Sequence, residues 1–230
     1  RPSYLYYPAT ASSISYNKTA LWLATLERFL GWEVVQQILS TFYERWQFRH
    51  PQPEDFFALA NEVAGQDLSW FFDQVHGGSQ TFDYAIERAE SKTATLQGFQ
   101  GPEQGLVFRA GQKDRGDDAP GEASTLYRTE VTVQRRGDGV FPIDVLLVFE
   151  DGQKILRSWD GQSRWRLFVE ERASRLAYAE ADPQRILQLD IDRTNNSRMR
   201  ESKARLPAVK WASRWMVWLQ DTLQTFTFFL

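Results

Sequence analysis

Apolar residues recur every three or four positions between residues 15 and 77, and that spacing predicts four helices. The first covers residues 15–30, with Leu23, Leu26 and Leu30 on one stripe and Gly31 placed to stop it. The second, residues 33–48, repeats through Val34, Ile38, Phe42 and Trp46, with Val35, Leu39 and Tyr43 beside them. A stripe that wide must face other helices. Two prolines in "HPQPEDFF" break the chain, and Pro53 then suits a first helical turn whose positive end favours Glu54 and Asp55. Gly65 closes this third helix. Asp67 is placed to cap a short fourth one, "LSWFFDQV", which ends at Gly77 and Gly78.

From residue 82 the period changes from 3.6 to 2. "STLYRTEVTVQRR" alternates through Tyr127, Thr129, Val131 and Val133, and "FPIDVLLVFEDG" through Val145, Leu147 and Phe149 before a D-G turn. "QKILRSW", "RWRLFVEE", "RLAYAEA" and "ILQLDID" follow at short intervals; "FDYAIERAE", "TATLQGF" and "GLVFRA" are weaker candidates before them. Strands this short and this close predict an antiparallel sandwich. Residues 111–124, "GQKDRGDDAPGEAS", have almost nothing apolar to bury and read as a mobile loop. Helical spacing returns in residues 206–230, where Ala212, Trp215, Met216, Leu219 and Leu223 share a face that excludes Lys210, Arg214, Asp221 and Thr225. The expected fold is α+β: a helical bundle (1–80), a β-sandwich (81–192) and a basic, amphipathic C-terminal helix (193–230).

Composition narrows the chemistry. Nine Trp and sixteen Phe in 230 residues favour a packed globular protein. With no cysteine there is no disulfide, thiolate metal site or cysteine nucleophile, and the compartment stays open. The two histidines, His50 and His76, are too far apart in sequence for an H-E-x-x-H zinc motif. The net charge of -3 is divided: residues 193–230 hold seven Lys or Arg against Glu201 and Asp221, a balance of +5 that leaves -8 for the rest. A basic tail on an acidic body points to an anionic surface as partner of the tail alone. No run of eighteen uncharged apolar residues occurs. The missing initiator Met and the end at "TFTFFL" read as a piece of a longer or processed polypeptide.

"SYNKTALWLATLERFLG", followed by "ILSTFYERWQFRHPQPEDFFALANEVAGQDLSWFFDQV", resembles the end of the catalytic domain of the zinc aminopeptidases of the H-E-x-x-H plus distal Glu class (membrane alanyl aminopeptidase-like). The resemblance covers residues 12–86 and rests on the order of its parts: a Y-x-K-G-like helix start, a helix ending in an aromatic-basic stretch, a Pro-Glu-Asp-Phe restart, and a Trp-Phe helix leading into strands. Members often continue with a β-sandwich. It implies that Tyr16 donates its hydroxyl to the oxyanion of the tetrahedral intermediate, a task suited to a phenol, which is protonated at neutral pH. The family's small Gly is Thr19 here. The family's zinc ligands and general base would lie upstream, so the resemblance implies zinc in a full-length parent and none in this chain. The implied function is that of an inactive C-terminal fragment whose parent removes N-terminal amino acids from peptides, its partners being the missing N-terminal part and the peptide substrate. The alternative is a non-catalytic module that keeps the scaffold for protein or membrane-surface binding.

The remaining candidates have plainer readings. Lys18 is either an orienting group beside Tyr16 or a solvated lysine. His50 reads as a turn residue before a proline, and His76 as a helix C-terminal residue favoured by the dipole. Glu54 and Asp55 read as helix-start acids, "GDG" at 137–139 as a hairpin turn, and the Asp and Asn residues of "DPQRILQLDIDRTNNS" as turn caps. The terminal helix, with three Trp among basic residues, suits a membrane surface through residues 207–230, or equally docking on its own sandwich or another subunit. With an acidic body and no nucleic-acid module, nucleic acid is not expected as a partner.

Overall fold

The computed structural model describes residues 7–94, 98–100, 107–109, 126–201 and 205–227. The loop expected over 111–124 and the last three residues of the terminal helix lie outside these. The first helix begins earlier than the apolar stripe suggests, because Pro8 presets the first turn. It runs unbroken through α1 (Pro8–Ser12), a π-helical turn (Ser13–Lys18) and α2 (Thr19–Leu30). Gly31, at φ 89°, turns the chain into α3 (Trp32–Trp46), which stops two residues short of the expected end where Phe48 takes a left-handed φ of 61°. α4 (Pro53–Ala64) opens on a reciprocal cap between Gln52 and Asp55 and closes on Gly65 at φ 63°. Asn61 Oδ1 and Asp67 Oδ1 then accept the backbone N–H groups of Leu68 and Ser69, both at 2.9 Å, and so start α5 (Ser69–Phe72). A second π-helical turn, Asp73–Gly77, ends the helical part.

The strands form two sheets and a hairpin, all antiparallel. β1 (Tyr84–Thr93), β4 (Tyr127–Arg135) and β7 (Trp165–Arg172) make a three-stranded sheet in the order β1-β4-β7. β5 (Ile143–Phe149), β6 (Lys154–Trp159), β8 (Leu176–Ala181) and β9 (Ser197–Met199) make a four-stranded one in the order β6-β5-β8-β9. β2 (Gly98–Gln100) pairs with β3 (Val107–Arg109). β1 packs across β8 and β9 of the other sheet. Alternation decides which faces meet: Thr129, Val131 and Val133 of β4 and Ile143, Val145 and Leu147 of β5 are buried, with partly exposed residues between them.

Two strand-level expectations are corrected. "GDG" is not a hairpin turn, since β4 and β5 belong to different sheets and residues 136–142 carry the chain from one to the other. "ILQLDID" is not a strand. Asp182, at φ 49°, accepts the N–H groups of Ile186 and Leu187 at 2.8 and 2.9 Å and folds the segment into turns; only Asp190 bridges to Phe82.

Helices and sandwich share one core. Phe141, on the crossover between the sheets, stands 5.4 Å from the ring of Phe29, 5.7 Å from Trp70 and 6.1 Å from Phe71. Tyr84 Oη donates to Phe141 O and accepts from Phe141 N, each at 2.8 Å, while the Gln74 amide bonds both backbone groups of Val140. On the far side of α2 the buried Thr25 hydroxyl accepts from Gln188 N at 3.0 Å, and Arg28 donates to the carbonyl of Arg185 at 3.1 Å. α6 (Arg205–Thr227) ends the described chain, and its described side chains from Pro207 to Thr225 are exposed apart from the partly covered Thr222.

Because the core is continuous, Phe141→Ala should cost about 3–5 kcal/mol, and helical and β signals should be lost together in denaturant, as followed by far-ultraviolet circular dichroism and tryptophan fluorescence. Burial pushes the Tyr84 phenol up to about 12. An acid whose pKa is raised by folding contributes its full stability below the unfolded value, near pH 10, and loses it as pH climbs toward 12. Wild type should therefore lose roughly 2 kcal/mol more than Tyr84→Phe across that window in denaturant titrations at stepped pH.

Candidate functional site

The first helix widens to π-helical geometry at Ser13–Lys18, and Tyr16 sits inside that turn rather than at a helix mouth. Such turns interrupt the regular ladder and recur at functional positions. No residue of α1 or of this turn is buried, and the Tyr16 ring is 74% exposed. Its phenol therefore projects from the bundle, away from the core that begins one turn later at Trp22. Thr19, half-buried, is the first residue of the α-helical stretch that follows.

Lys18 joins the two π turns. Its Nζ donates to the carbonyl of Gly78, directly after Asp73–Gly77, at 3.4 Å. Partial burial pulls the Lys18 ammonium below the usual lysine range, since its charge is less well solvated there. Behind this link lies an aromatic stack: Phe57 is stacked on Phe72 at 4.3 Å, Phe72 meets the edge of Trp22 at 6.0 Å, and His76 meets Phe57 at 5.1 Å. The second π turn is thus seated on packed rings, while the first is tied to it through one lysine. Sequence reading found Tyr16 and Lys18 but not Gly78 as the lysine's acceptor. The Gly77–Gly78 pair marked only the end of a helix, and the contact spans sixty positions.

The other candidates resolve into structural roles. Asp55 Oδ2 accepts the N–H of Gln52 at 2.7 Å, as a helix cap does. His50 and Glu54 are exposed, and His76 is an exposed imidazole packed edge-on to Phe57. The acidic and amide residues of 182–196 cap turns. Asp190 accepts from Asp192 N and Asn196 Nδ2, and Asp192 accepts from Thr194 N and Oγ1. Burial raises the carboxyls of Asp182 and Asp190, whereas the Thr194 hydroxyl holds that of Asp192 down.

A groove of about 440 Å³ between α3 and α4 is lined by Glu44, Arg45, Arg49, Asp55 and Glu62, among others. Arg45 and Glu62 pair with each other across it at 2.6 and 2.8 Å, and Tyr16 is not part of its wall. Among the described residues no group of three or more His, Asp or Glu is placed to hold a metal ion. The polar groups at the Tyr16 turn are its exposed phenol and, two residues on, the Lys18 ammonium, each a hydrogen-bond donor.

No protein-family model matches the chain, and no curated protein does. Among solved structures, it is similar to the crystal structure of Legionella pneumophila aminopeptidase A in complex with aspartic acid, at 16% identity and a TM-score of 0.48. That overlap takes in 82% of this chain and 18% of the other, so the chain spans less than a fifth of that protein's length.

The exposed Tyr16 should be dispensable for folding: Tyr16→Phe should leave the denaturant midpoint within about 0.5 kcal/mol of wild type. Lys18→Ala should instead loosen the turn, raising amide exchange over residues 13–18 roughly fivefold while Tyr16→Phe leaves it unchanged. Hydrogen exchange read by mass spectrometry distinguishes the two.

Proposed function

We propose that this chain is the C-terminal part of an aminopeptidase-like polypeptide, in which Tyr16 supplies one hydrogen bond to the reacting carbonyl oxygen of a peptide. The observation that carries the reading is the presentation of the Tyr16 phenol, exposed on a π-helical turn that Lys18 anchors to the rest of the bundle. The ordered motifs of residues 12–86 support it. When water adds to the scissile carbonyl, the oxygen gains negative charge, and a donor already in place stabilises it without reorganising. Tyr16 keeps its proton in this step. It shares it with the oxyanion and releases the bond when the carbonyl re-forms.

Zinc, its ligands and the general base belong, in this reading, to chain N-terminal to residue 1, and no step is assigned to the metal here. The chain by itself is inactive. Its helices hold the Tyr16 turn in place and its sandwich holds the helices, through Phe141 and Thr25.

In the longer polypeptide, Tyr16→Phe should lower kcat by on the order of 100- to 1000-fold with little change in KM, as measured on amino-acid p-nitroanilides. Unchanged kcat would remove the role of the phenol. The 230-residue chain should show no zinc-dependent release of N-terminal amino acids, and measurable release would refute its being an inactive part.

A further inference from the structure

We infer that α6 is an interfacial helix that lies in the surface of an anionic phospholipid bilayer. All described side chains from Pro207 to Thr225 are exposed except Thr222, which is partly covered. Large apolar groups are among them: Trp211 is 65% exposed, Met216 64%, Trp215 59% and Trp218 58%. No neighbouring element among the described residues buries this surface, whereas α2 and α5 pack on Phe141 at the sandwich through Phe29, Trp70 and Phe71. Docking on its own sandwich is thereby not the arrangement adopted.

At 3.6 residues per turn the helix divides sharply. Val209, Ala212, Met216, Leu219 and Leu223 form one side; Lys210, Ser213, Arg214, Gln220, Asp221 and Gln224 form the other, interrupted by Val217. Trp211, Trp215 and Trp218 lie along the border, the last two in edge-to-face contact at 5.4 Å. Indoles at the boundary, aliphatics below and cations above is the distribution that suits a helix lying flat in the headgroup region. The helix is not long and apolar enough to cross a membrane.

Charge selects the lipid. Arg193, Arg198 and Arg200, which contribute to the basic balance of the tail, are occupied: Arg193 with Gln188, Arg198 with the carbonyl of Glu87, Arg200 with Glu150, Glu201 and the carbonyl of Leu176. Lys210 and Arg214 make no hydrogen bond or ion pair with the described residues and stand together on the polar side, where Asp221 is the one opposing charge two turns on. The acidic body is repelled by an anionic surface, so contact is confined to this helix and holds the sandwich off the bilayer.

The test is cosedimentation of the intact 230-residue chain with vesicles of phosphatidylcholine, or of two parts phosphatidylcholine to one part phosphatidylglycerol. Binding should be at least tenfold tighter to the mixed vesicles and should weaken with salt. Lys210→Glu with Arg214→Glu should remove that preference, and Trp211→Ala, Trp215→Ala and Trp218→Ala together should abolish binding to both. Circular dichroism establishes that each variant is folded. Failure to bind mixed vesicles, or equal binding by wild type and both variants, overturns the inference. So does vesicle-free dimerisation in sedimentation equilibrium that the tryptophan variant loses, since the apolar side would then be covered by a second copy of the chain.

Discussion

The insertion of Phe141 among Phe29, Trp70 and Phe71 is the contact on which the rest of the architecture depends. Short helices whose apolar stripes are wide cannot cover those stripes by packing on one another alone. The missing wall comes from the sandwich, at the point where the chain leaves one sheet for the other. That crossover is threaded tightly against residues 81–83. A side chain at Gly137 would place its Cβ 2.2 Å from the carbonyl of Thr81, and one at Gly139 would lie 2.5 Å from the Phe82 ring. "RGDGVF" is therefore a device for close approach, with the backbone of the following Val140 and Phe141 secured by Gln74 and Tyr84.

From this anchor, packing thins out toward Tyr16. α2 is clamped at Thr25 and Arg28, α5 lies under Phe141, and the second π turn rests on Phe57 through His76. Among the described residues, the hydrogen bond that ties the first π turn to an element beyond its own helix is that of Lys18 to Gly78. Segments with few buried contacts open at lower free energy than the core. In the role proposed for Tyr16, a donor that must meet a reacting group from another part of a protein is usefully placed there, at the turn with the fewest buried residues.

Periodicity carried the reading of the fold a long way, and its failures share a cause. α3, α4, β4, β5, β7 and β8 follow from apolar spacing and from punctuation by Gly31, Pro53 and Gly65, because those elements bury one face each. What the spacing could not carry was partner choice. β4 and β5 alternate alike, yet nothing local says that they belong to different sheets; "ILQLDID" has strand composition, but Asp182 reaches its backbone first. At the candidate site the phenol and the lysine were legible as residue types, and the resemblance singled them out. The π geometry and the Gly78 acceptor were not, since both are set by helix packing.

The charge of the tail shows why a sequence balance is a poor measure of what a surface offers. Counted along the chain, residues 193–230 carry +5. Within the fold, Arg198 and Arg200 close the β9 edge onto β1 and β8 through backbone carbonyls, and Arg193 holds the turn at Gln188. A guanidinium engaged in this way gives up little to a passing anion, because its donors are already directed inward and leaving them unmet would cost more than a screened surface contact returns. Among the described side chains of the tail, Lys210 and Arg214 of α6 make no hydrogen bond or ion pair, and they stand next in sequence to Trp211 and Trp215. The bilayer contact inferred for α6 rests on this local pairing of cations with exposed indoles, rather than on the sign of the tail.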